Sequence, residues 1–243
     1  AVNHLLQKEP SHEPAIMLKA QLLHQIGKKD EASAFLEQSL LNIPDSKRLR
    51  LQHARFLAEK DLEGAHHQLT QLVEQYPNDP DLIYTLALAS SGLGLRIEAQ
   101  QLFFELTRYP STASSAHFEL GTMAERDNAI EAVLLHYRHV QAGPKFLPAA
   151  ARLSQFMVSH GQLKDARLYL QKLRLSNPSD AASLYQIESE LLAKQQQLDD
   201  AYHLLSEAIL QEPNNIPLRY TRSMLSEKKR DYASSEQDLR AIL

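Results

Sequence analysis

NDPDLIYTLALASSGLGLRIEAQQLFFELTRYP, residues 78–110, reads as two helices folded back on each other. Asn78-Asp79-Pro80-Asp81 supplies turn and N-cap side chains for the first helix. Gly94 breaks the run midway. Pro110 ends it, because proline lacks an amide hydrogen and clashes with the preceding turn. Ala99, just after the break, is small enough to let the two helices approach closely.

The same punctuation recurs along the chain. Seven of the eleven prolines fall at Pro10, Pro44, Pro77, Pro110, Pro144, Pro178 and Pro213, in steps of 34, 33, 33, 34, 34 and 35. Ala32, Ala65, Ala132, Ala166 and Ala201 each lie twelve residues before one of them, Ala99 eleven before Pro110, and Ser235 continues the series. Midway breaks fall at Gly27, Gly94 and Gly161, or at Lys60-Asp61, Asp127-Asn128 and Lys229-Arg230-Asp231. A near-constant period of 34 marks stacked helical hairpins. Composition agrees. Leu and Ala dominate, Val is scarce, and 7 Gly in 243 residues is well below the ~7% average. The chain is expected to be all-α.

With those residues in hand, the chain resembles the tetratricopeptide repeat (TPR) family, whose pattern is W-x2-L-G-x2-Y…A-x3-F…P. The best match is Ile83-x-x-Leu86-Ala87…Gly94…Ala99-x-x-x-Phe103; Leu120-Gly121 supplies the Leu-Gly pair, and Tyr232…Asp238-Leu239 resembles the usual second helix. There is no Trp, and around Ala132-Val133 the register is ambiguous by one residue. The resemblance implies a right-handed α-solenoid of about seven repeats, 13–44, 46–77, 80–110, 113–144, 147–178, 181–213 and 216–243, in a single array over 1–243. Residues 1–10 read as the tail of a preceding repeat. No polar capping helix closes either end, so a segment of a longer protein, or ends that pair with something, is expected.

Chemistry is sparse in this pattern. Absence of Cys excludes thiol catalysis, disulfides and Cys-ligated zinc. No G-x-S-x-G elbow and no glycine cluster after a strand is present. His136-x-x-His139 puts two imidazoles on one helix face, a ligand-compatible spacing with no third ligand placed. Glu188-x-Glu190 and Asp199-Asp200 read as solvating or dipole-complementing carboxylates. Lys228-Lys229-Arg230 reads as a basic turn. With 26 basic against 30 acidic residues, a nucleic-acid footprint is not expected. No apolar run reaches the length of a membrane span. No enzyme activity, metal or cofactor is expected.

The resemblance also implies that the first helices of successive repeats line a concave groove. Its fifth position holds Met17, Leu51, Tyr84, Phe118, Ala151, Tyr185 and Tyr220; its ninth holds Gln21, Arg55, Leu88, Thr122, Gln155, Ser189 and Met224. This aromatic and aliphatic stripe suits an extended peptide or an apolar helix. Lys at position five and Asn at position nine, which the chaperone-binding subclass uses to grip a terminal carboxylate, are both missing. Tyr84 with Phe118 and Tyr185 with Tyr220 would form two aromatic anchors separated by the shallower Ala151 and Gln155.

Tyr137-Arg138-x-Val140-x-x-Gly143, Gly161-x-x-x-x-Ala166-Arg167 and Leu218-x-Tyr220-x-Arg222-Ser223-Met224 with Glu236-x-Asp238-Leu239-Arg240 resemble proteobacterial TPR lipoproteins. That resemblance implies a periplasmic scaffold, tethered to the outer membrane through a missing N-terminal region, that brings substrates to a protease. The alternatives are a cytoplasmic location, an architectural array that self-associates through its ends, or an enzyme built around His136 and His139.

Overall fold

The computed structural model describes residues 2–243, which form helices and turns with no strand. A short helix α1 (Val2–Lys8) precedes seven pairs. These are α2 (Glu13–Gln25) with α3 (Lys29–Asn42), α4 (Lys47–Leu57) with α5 (Leu62–Gln75), and α6 (Pro80–Gly92) with α7 (Arg96–Leu106). They continue as α8 (Ala113–Arg126) with α9 (Ile130–Arg138), and α10 (Phe146–Ser159) with α11 (Leu163–Ser176). The last are α12 (Ala181–Lys194) with α13 (Leu198–Gln211), and α14 (Ile216–Lys228) with α15 (Tyr232–Arg240).

Local chemistry sets these boundaries. The Asp79 carboxylate accepts from the amides of Asp81 and Leu82 at 3.1 and 3.2 Å and starts α6. Ser46, Asp61, Asn215 and Asp231 cap α4, α5, α14 and α15 in the same way. Between the helices of a pair the backbone turns left-handed at Gly27, Gly94 and Gly161, with φ of +85°, +76° and +75°. Asn128, Gln196 and Arg230 adopt the same turn at φ of +53°, +62° and +63°. After each, an amide bonds back across the turn, as from Leu95 to the Ser90 carbonyl at 2.9 Å and from Gln197 to Leu192 at 2.9 Å. This is the Schellman closure that satisfies the last carbonyls of a helix.

The chain forms two compact units, one ending at Ala116 and the other running from His117 to Leu243. In the first, Ile16, Ala20, Leu36 and Leu49 form one buried cluster and Ala54, Leu69, Leu86 and Ala89 another. In the second, a larger cluster runs from Ala124 through Tyr137, Leu153 and Leu170 to Leu191, and another holds Leu192, Leu205 and Leu218. Ala32, Ala65, Ala99, Ala166 and Ala201 are fully buried.

The ambiguous register resolves in favour of Val133, which is fully buried while Ala132 is only partly covered. Val133 follows the left-handed Asn128 by five residues, as Ala99 follows Gly94. Four residues on, Tyr137 is 1% exposed, and a Cβ placed on Gly121 would sit 2.7 Å from its ring. The glycine makes room for the ring.

Charge enters the interior too. Glu188 is not a solvating carboxylate but is 2% exposed, where it accepts from Arg167 Nε at 2.8 Å and Arg174 Nη1 at 2.5 Å. Asp238, 1% exposed, accepts from Arg222 Nε at 2.7 Å and Nη2 at 2.6 Å. Tyr137 donates its hydroxyl to Glu125 at 2.7 Å and accepts from Arg152 Nε at 2.8 Å.

Gly121→Ala should push the Tyr137 ring out of place and lower stability by about 1–3 kcal/mol, read as a reduced urea midpoint with an unchanged m-value. Glu188→Ala should cost about 3–5 kcal/mol in the same measurement, because it strands the largely buried Arg174 without its counter-charge.

Candidate protein-binding face

In the first unit the expected binding residues divide between core and surface. Met17 on α2 packs against the Ile16 cluster, and Leu51 on α4 against the Ala54 cluster. Tyr84 on α6 is half-buried, edge-on to Phe103 with ring centres 5.9 Å apart. Gln21, Arg55 and Leu88 are exposed, and Arg55 Nη2 donates to Thr85 Oγ1 at 3.4 Å.

In the second unit Phe118 on α8 is partly covered: it tilts against Tyr137, and the Lys145 ammonium lies 4.4 Å above its ring. Thr122 Oγ1 donates to the Phe118 carbonyl at 3.0 Å and lies 3.2 Å from the Tyr137 hydroxyl. Gln155 on α10 is exposed and accepts from Lys194 at 3.4 Å. Tyr185 on α12 packs against the Leu192 cluster under the guanidinium of Arg174, whose Cζ is 4.2 Å from the ring centre. Ser189, expected at the ninth groove position, is 1% exposed and donates to the Gln186 carbonyl at 2.8 Å.

Tyr220 and Met224 on α14 are exposed side by side, at 54% and 42%, as Leu88 is at 43% in the first unit. With Ser189 they line a cavity of about 470 Å³ between α12 and α14, which pack on each other. The four aromatics expected to bind a partner therefore do not share one environment. Tyr220 stays open while Tyr185 is roofed.

The cavity also recruits residues outside the expected stripe. Ala193 and Lys228 lie one helical turn beyond Ser189 and Met224, so the stripe runs a turn longer than expected. Glu190, Lys194, Thr221 and Leu225 complete the wall. Lys228 is not a turn residue, for it ends α14. Lys229 follows the helix and is held by Asp199 at 2.6 Å.

His136 and His139 gain a third imidazole that sequence spacing did not place. His117, from α8, lies with its Nδ1 3.2 Å from that of His136, and its ring is stacked 5.0 Å from His139. His139 Nδ1 is 2.7 Å from the Leu135 carbonyl. Among the described residues no group of three His, Asp or Glu side chains has metal-holding geometry. Burial first, then repulsion from the other two imidazoles, pushes His117 from 6.5 down to about 4. Burial and His139 lower His136.

The chain is 37% identical over 275 aligned residues to the TPR repeat-containing protein PA4667 of Pseudomonas aeruginosa, covering 99% of this chain and 47% of that protein. It thus spans about half the length of this curated relative. No family model matches the sequence. Among solved structures it is similar to a tetratricopeptide repeat protein from Parabacteroides merdae, with a TM-score of 0.55 and 12% identity over 96% of this chain and 92% of that one. It is also similar to the APC/C hetero-tetramer Cut9–Hcn1, with a TM-score of 0.59 and 15% identity over 92% of this chain and 45% of that one. At these identities the likeness is one of fold.

The folded protein keeps His117 and His136 neutral at a pH where the unfolded chain protonates them. Their contribution to stability is complete above about pH 6.5 and is lost as pH falls below it, for His117 toward about 4. The thermal midpoint should be lower at about pH 5 than at about pH 7.5, and His117→Gln should flatten that dependence.

Proposed function

The chain is built on the tetratricopeptide repeat, and we propose that it serves as a non-catalytic scaffold that binds a peptide or helix of a partner protein. The carrying observation is the pair Tyr220 and Met224, two large apolar side chains left open over a cavity of about 470 Å³. Apolar side chains clustered over a concavity mark an interaction site more often than singly scattered ones do. Tyr and Met are also enriched in the cores of protein interfaces. The Cut9–Hcn1 neighbour is itself a protein assembly, which supports the same class of role here. As a finer reading, the scaffold works in the bacterial periplasm, tethered to the outer membrane, and presents substrates to a protease. Its support is the motif resemblance at Tyr137–Gly143, Gly161–Arg167, Leu218–Met224 and Glu236–Arg240.

A photo-crosslinking amino acid at Met224 should trap a partner in cells, whereas one at Leu210, exposed on the second helix α13, should not. Equal trapping at both positions, or none at Met224, refutes the reading. Tyr220→Ala should weaken binding of the trapped partner by about 2–4 kcal/mol if the ring is a hot spot, with helical circular dichroism unchanged.

A further inference from the structure

The Tyr220 cavity has a charged rim as well as an apolar wall. Lys194 lies in the last turn of α12 and Lys228 in the last turn of α14, so both ammonium groups lie toward the C-terminal ends of these helices. Glu190, one turn before Lys194, is the one acidic lining residue. Two other lysines of this unit are engaged, Lys229 by Asp199 at 2.6 Å and Lys145 by Glu119 at 3.3 Å, while Lys164 and Lys172 make no ion pair among the described residues and do not line this cavity. Lys228 makes no ion pair among the described residues, and Lys194 reaches only the neutral Gln155 amide at 3.4 Å. Lysines in a last turn suit the helix dipole. The dipole does not call for an apolar cavity opening between them.

We propose that this cavity recognises an acidic segment of the partner: an aromatic or aliphatic side chain enters against Tyr220 and Met224 while a neighbouring Asp or Glu meets Lys194 and Lys228. The proposal rests on the protein-binding reading above and adds the chemistry of the occupant. The carboxylate supplies the counter-charge that both ammonium groups lack, and complementary charge of this kind fixes register and speeds encounter. Glu190 repels a second carboxylate at its own end, so the acidic residue sits on the lysine side of the apolar anchor. A basic or neutral segment would leave both lysines unpaired against its backbone.

The test pans a random peptide library displayed on phage against the whole chain, with the Tyr220→Ala/Met224→Ala variant as counter-selection. Peptides pairing an aromatic or aliphatic residue with Asp or Glu should be enriched. A synthetic peptide from the winners should bind about tenfold more weakly to Lys194→Glu/Lys228→Glu and at raised salt. The milder Lys228→Gln, checked by circular dichroism, should weaken it in the same direction. Enriched peptides that need Tyr220 but carry no acid, and bind the lysine variants undiminished, would overturn the acidic specificity and leave the scaffold reading standing. If no enriched peptide depends on Tyr220, both fall.

Discussion

The left-handed turn between paired helices is the constraint on which the rest depends. Among the described residues none of the fifteen α-helices exceeds 14 residues. Helices of that length are marginal alone in water, so each persists only by burying a face on its neighbours. The turn reverses the chain in a fixed geometry and returns it at a fixed phase. Five residues after each left-handed position stands a buried side chain: Ala32 after Gly27, Ala99 after Gly94, Val133 after Asn128, Ala166 after Gly161, Ala201 after Gln196 and Ser235 after Arg230. In the pair α4–α5, where no positive φ occurs, the Asp61 side chain caps the second helix, and Ala65 is still fully buried. Phase is held even where the turn chemistry changes.

Small residues at that phase bring helix axes close, and what fills the space differs from pair to pair. Where Val133 replaces alanine, Tyr137 enters four residues later, and Gly121 on the facing helix yields the volume of a side chain. The ring then places a hydroxyl in the interior, and Glu125 with Arg152 satisfies it. Burial pushes that phenol up to about 12, so it stays a neutral hydrogen-bonding group through the physiological range. Glu188 and Asp238 are handled alike, each by arginine partners. Buried ion pairs of this type contribute little net stability against an apolar replacement but punish loss of one partner.

Punctuation and period were legible in the sequence because proline, glycine and capping side chains act through local backbone chemistry. Gln196 was the exception. Its turn is as left-handed as that at Gly161, but no Gly, Asn or Asp announces it, and the neighbouring repeats impose the phase. The ambiguity at Ala132-Val133 likewise needed the facing helix, since only Gly121 and Tyr137 together show which residue is inside. His117 lies 19 residues before His136, a separation that no single-helix periodicity links. Glu188 looked like half of a solvated pair because its two arginines lie on the preceding helix.

That last pairing also explains why equivalent groove positions behave differently. Tyr185 and Tyr220 occupy the same place in successive repeats, yet one is roofed and the other is open. Glu188, three residues after Tyr185, holds Arg174, and the tethered guanidinium lies over the Tyr185 ring. One repeat later, 35 residues on, Ser223 stands in place of Glu188 and Ile209 in place of Arg174, and both are buried. No carboxylate tethers a cation there, and a buried isoleucine cannot extend over the ring as an arginine does. Tyr220 is therefore left uncovered beside Met224. Within this unit the open aromatic surface is set by the absence of one buried acid, a feature that lies outside the stripe itself.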